Sequence, residues 1–162
     1  MKTLRLLLGD QLNLQHSWFD EVNPNVIYLM AEMRQETDYV KHHIQKVVAF
    51  FQVMRTFSDE LIEKGHQVNY YKISDSNNPQ HLETLILEMV AKKNIECFEY
   101  QFPDEYRLDE QLKAISKKLT IATKTVDSEH FYASRNELAD FFEGKKQLLM
   151  ESFYRMMRKK HH

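Results

Sequence analysis

Short apolar runs alternate along this chain with longer segments whose apolar residues recur every three or four positions, and that alternation constrains the fold more than any other feature. Residues 4–8 (LRLLL) and 25–30 (NVIYLM, introduced by Pro24) are nearly continuous in apolar side chains, the pattern of a strand buried on both faces. Residues 66–73, 94–101 and 120–126 read as three further strands. Over residues 38–64, Val40, Ile44, Val47, Val48, Phe51, Met54 and Leu61 recur at helical spacing, with Thr37 as N-cap and Gly65 as stop. Residues 81–92, carrying Leu82, Leu85, Ile86 and Met89, and residues 108–119 repeat the helical pattern. Strands joined through amphipathic helices pack as right-handed βαβ crossovers. The expected fold is therefore α/β: a Rossmann-like, doubly wound parallel sheet of about five strands, in the order 3-2-1-4-5, flanked by helices.

Composition narrows the function. The chain has 162 residues and only 3 glycines, against a usual share of about 7%. Phosphate-cradling loops need several glycines close together so that backbone N–H groups reach the anion, and this sequence does not supply them. A net charge of −2 provides no global field for capturing nucleic acid. One cysteine, Cys97, excludes an internal disulfide and fits a reducing, cytoplasmic setting. No stretch approaches the roughly 20 apolar residues of a membrane span, so no membrane association is expected.

In an open parallel sheet, ligands bind beyond the carboxyl ends of the strands, where the strand order reverses. With the expected order, that crevice is lined by residues 9–12 (GDQL), 31–39 (AEMRQETDY) and 102–107 (FPDEYR). Asp10, Gln11, Glu32 and Glu36 offer acceptors, and Tyr39 and Tyr106 offer flat faces edged by a hydroxyl. This set suits an aromatic heterocycle bearing N–H or sugar hydroxyl groups better than a phosphate. A plainer reading stands beside it: Asp10 caps a turn, Glu32 and Glu36 are solvated, and Tyr39 packs on the rim. Adjacent His42 and His43 point about 100° apart on a helix, and the i, i+4 spacing of a zinc helix is absent. No serine lies in a nucleophile elbow.

Five separated motifs, LRLLLGDQLN, MAEMRQETDYVKHHIQKVVAFFQVMRTF, FPDEYRLDEQL, DSEHFYASRNELADFF and MESFYRMMRKKHH, together resemble the deoxyribodipyrimidine photolyase-related proteins, the prokaryotic iron–sulfur cryptochromes and (6-4) photolyases. The resemblance implies light-driven DNA repair or blue-light sensing by the full-length protein. It implies an amino-terminal α/β domain over residues 1–145 that holds an antenna chromophore, a ribityl-lumazine. Residues 146–162 then form the helical start of a connection to a larger domain carrying FAD and a 4Fe-4S cluster, both outside this chain. The antenna contacts it implies are Gly9, Asp10, Gln11, Glu36, Tyr39 and His43, with Glu105, Tyr106 and Arg107 lining the crevice or bracing its loop. No catalytic or metal-ligating residue is expected here, and DNA is a partner only of the full-length protein. Two readings from other classes remain open: a stand-alone Rossmann-like small-molecule or nucleotide-binding enzyme, and a partner-binding domain that self-associates through an exposed carboxy-terminal helix bearing Phe153, Tyr154 and Met157.

Overall fold

In the computed structural model, which describes residues 1–161, the five strands β1 (Thr3–Leu6), β2 (Val26–Ala31), β3 (Gln67–Tyr71), β4 (Cys97–Gln101) and β5 (Ala122–Val126) form one parallel sheet in the order β3-β2-β1-β4-β5. The central strands β1 and β2 fall on the near-continuous apolar runs, with β2 buried at all but its last residue; the third central strand, β4, is buried throughout although it carries Glu99 and Gln101. The edge strands β3 and β5 are half-buried or exposed, as their mixed sequences require.

Alternate residues of β1 feed two cores. Leu4 and Leu6 pack with Ile27, Leu29 and Phe98 under α3 (Leu82–Lys93) and α4 (Tyr106–Lys118). Leu7 packs on the other face with Tyr28, Met30, Trp18 and Phe19, covered by α2 (Ile44–Glu63). Each fully buried Leu, Ile or Phe removes apolar surface worth about 1.5–3 kcal/mol. Arg5, lone charge of β1, sits on this second face between its register partners Tyr28 and Glu99. Its Nε donates to Glu99 Oε2 at 2.9 Å, Nη1 donates to Trp18 O and Tyr28 Oη, and the guanidinium lies 4.8 Å from the Trp18 ring centroid. The charge is thus paired where an unpaired one would be prohibitive.

The helix expected over residues 38–64 is divided. A short α1 (Gln35–Asp38) runs into a turn over residues 39–41, and α2 starts only at Ile44. Thr37 therefore lies inside α1, and His43 is the N-cap of α2, its Nδ1 accepting from Gln45 N at 3.2 Å. Gly65 ends α2 as expected, with φ +92°.

Residues from Asp127 onward form a second compact unit, distinct from Met1–Val126. It contains α5 (Glu137–Phe142) and α6 (Met150–His161), where Phe153 meets the Phe141 ring edge-on at 5.3 Å and Lys160 pairs with Glu137 at 2.6 Å. The expected last helix extends to His162, which lies outside the described residues. Among the described residues, no helix is long and apolar enough to cross a membrane.

Candidate functional site

Beyond the carboxyl ends of β1, β2 and β4 lies a cavity of about 160 Å³. Its floor is apolar, built from Leu7, Met33, Phe50, Phe51, Met54 and Leu82, and its rim carries Asp10, Glu36, Tyr39, His42, Lys46 and Glu105. The strand order places it at the reversal point between β1 and β4.

Of the residues expected at the site, Gly9, Asp10, Glu36, Tyr39 and Glu105 line the cavity together. Arg107 links two of these rim residues: its guanidinium lies 5.0 Å from the Tyr39 ring centroid and pairs with Glu105 at 2.8 Å. Gln11, His43, Tyr106 and Arg107 itself are not among the lining residues. Gln11 is buried, its Oε1 accepting from Leu8 N at 3.1 Å and its Nε2 donating to Gln101 O at 3.3 Å, so it braces β1 against β4. His43 is occupied as the helix cap, and its neighbour His42 faces the cavity instead. Tyr106 is 78% exposed.

Gly9 is needed for close approach. An added Cβ would overlap the Phe50 ring and come within 3.0 Å of Met54 Sδ. The glycine after β1 therefore admits an aromatic ring to the cavity floor, where a phosphate loop would use glycine to admit an anion.

Glu36 feels several charges. Burial pushes its carboxyl above the ordinary range, the Arg107 charge pulls it back, and Glu105 and Asp10 push it further up. A raised folded value means that Glu36 favours the fold fully only below its ordinary 4.5 and loses that contribution as pH rises through the folded value. Glu36→Gln, which resembles the protonated acid, is therefore expected to melt higher than the parent at pH 7, with the two converging below about pH 4.5. Thermal melts across pH 4–8 check this.

Glu32 serves a different purpose from the solvated or ligand-facing roles weighed for it. Its side chain is fully buried and takes Arg55 at 2.6 and 3.0 Å, Tyr70 Oη at 2.8 Å and Ile73 N at 2.9 Å. Burial alone would raise its carboxyl, but these donors and the Arg55 charge outweigh it and hold it below the usual range. The same burial and the adjacent carboxylate push the Tyr70 hydroxyl far above its ordinary value. Sequence reasoning also missed His42, Lys46 and Phe50 in the lining: His42 lies in the break before α2, and Lys46 and Phe50 flank the apolar stripe of Val47, Phe51 and Met54 that the spacing picks out.

No group of three or more His, Cys, Asp or Glu side chains is placed to hold a metal ion among the described residues. Cys97 is buried in β4.

These features define an α/β domain with a cavity at the switch point of its parallel sheet. The sequence profile of the deoxyribodipyrimidine photo-lyase-related proteins matches residues 5–162, and the chain belongs to that family. It is 29% identical over 161 residues to a (6-4) photolyase of Agrobacterium fabrum, an alignment covering 99% of this chain and 32% of that relative. The chain thus spans about a third of the curated relative's length.

Proposed function

We propose that this chain is the antenna-binding domain of a photolyase-related flavoprotein and holds a ribityl-lumazine without performing chemistry of its own. The observation that carries the reading is the cavity at the β1/β4 switch point, with an apolar floor and a rim of acceptors. An enclosed space of about 150 Å³ accepts an aromatic ring, and the cavity here is of that size. Glu36, Asp10 and Glu105 supply acceptors for ring N–H and sugar hydroxyl groups, while Tyr39 supplies a face at the rim. A single glycine and three carboxylates, Asp10, Glu36 and Glu105, make the lining poor for phosphate. When bound, a ribityl-lumazine would absorb blue light and pass the excitation on. Light-driven DNA repair or blue-light sensing, with FAD and a 4Fe-4S cluster, belongs to the full-length protein, as does any contact with DNA.

Titration with a ribityl-lumazine, followed by absorbance and fluorescence, tests the reading directly. Saturable spectral change is expected; spectra indifferent to saturating ligand would remove it. Glu36→Ala and Tyr39→Ala each delete one polar or stacking contact of about 1–3 kcal/mol, so each is expected to raise Kd roughly tenfold. Unaltered affinity in both would place the ligand elsewhere.

A further inference from the structure

The segment that forms the cavity wall, Met33 to Tyr39, leaves the sheet where β2 outruns its partner. The last ladder bond of the β2/β3 pair runs from Glu32 N to Tyr71 O at 2.9 Å, after which β3 turns away. Beyond that point Gln80, from the loop between β3 and α3, takes the place of a strand. Its Nε2 donates to Glu32 O at 3.1 Å and its Oε1 accepts from Arg34 N at 2.9 Å. One carboxamide thus bonds the residue before Met33 and the residue after it, as the peptide groups of a neighbouring parallel strand would. Asn78 supports the arrangement: its Nδ2 donates to Glu32 O at 2.9 Å, and its Oδ1 accepts from Gln80 N at 3.1 Å.

Gln80 holds this position in a left-handed backbone conformation, φ +54°, that a side chain such as glutamine rarely adopts. Glycine or asparagine would occupy that conformation at lower cost. Such a residue persists where its surroundings over-determine it. The two bonds to the cavity wall are the interactions that glycine would lose and that the shorter asparagine would not reach.

We infer that Gln80 is a positioning residue for the crevice: its carboxamide splints the extension of β2 so that Met33 stays in the cavity wall and Glu36 and Tyr39 are presented at the rim. It touches no ligand itself. The inference rests on the antenna reading for its ligand, but not for its mechanical part.

The test uses Gln80→Gly and Gln80→Asn, both of which suit the left-handed backbone and so preserve folding. Amide exchange at Arg34, exposed except for its bond to Gln80, is expected to accelerate at least tenfold in both variants. The amides of Leu29 and Met30, buried in the middle of the same strand, are expected to keep the parent's rates. Kd for a ribityl-lumazine is expected to rise about tenfold while the melting temperature holds or increases. Unchanged Arg34 exchange would overturn the splint. Acceleration shared equally by Leu29 and Met30 would also overturn it, since Gln80 would then be an ordinary stabilising residue. Parental affinity in both variants would overturn its role in positioning the site. If the parent itself binds no lumazine, the antenna reading fails, and selective Arg34 exchange still decides the splint.

Discussion

Glu32→Gln is expected to destabilise the protein by about 3 kcal/mol, lowering its melting temperature by roughly 10 °C. The carboxylate accepts from Arg55, Tyr70 and the Ile73 backbone with both oxygens engaged. Glutamine keeps one acceptor and turns an NH2 group toward a guanidinium or a backbone N–H, both of them donors. Arg55 is 37% exposed, so water recovers part of its loss and the penalty falls short of that for two wholly buried charges. The pH dependence follows from the lowered folded value. Glu32's contribution is complete above its ordinary 4.5 and is lost as pH falls through the folded value beneath it. Urea melts of parent and variant should therefore differ most at neutral pH and converge in strong acid. Equal midpoints at pH 7 would show that the buried carboxylate does not anchor the end of β2. The segment carrying Glu36 and Tyr39, with α1 in it, begins one residue after Glu32's neighbour Met33, so loss of this anchor is expected to weaken ligand binding as well.

The parallel sheet and its order were legible because burial on both faces leaves so direct a mark: Leu4, Leu6, Ile27 and Leu29 are apolar on account of their place at the centre of the sheet. The crevice was legible at one remove, since strand order determines which loops converge. Partnerships within the crevice were not. Glu32 stands in a polar stretch, and no spacing links it to Arg55 and Tyr70, 23 and 38 residues away, before the sheet brings them together. The exchange of His43 for His42 at the rim turns on a helix boundary. A histidine N-cap looks like any other first-turn residue until its ring is seen accepting Gln45 N–H. Gln11 was read from its chemistry as a ligand contact, whereas the gap between the ends of β1 and β4 gives its amide backbone partners. In each case residue type told what a side chain can bond, and only tertiary placement told what is within reach.

Gly9→Ala is expected to cost about 1–3 kcal/mol and to raise Kd for a ribityl-lumazine more than tenfold, although the change adds a single methyl group. The backbone at Gly9 does not need positive φ, so the cost is not one of conformation. It comes from the Phe50 ring, whose Cε1 would lie 2.9 Å from the new Cβ and whose Cζ would lie closer still. Met54 Sδ, at 3.0 Å, can give way along its flexible side chain; the ring must rotate as a body. Phe50 is half-buried and borders the cavity, so rotation carries it into the ligand space or out into water. The first blocks the site and the second strips its floor. A double-mutant cycle isolates the cause. In a Phe50→Ala background the added methyl meets only Met54 Sδ, which can give way, so Gly9→Ala should become much less costly there, giving a coupling of about 1–2 kcal/mol between the two positions. Urea denaturation of the four proteins measures it. Strictly additive penalties would mean that something other than Phe50 demands glycine after β1. A coupling of the expected sign would make that glycine, with its ring, a device for seating an aromatic floor beneath a heterocycle.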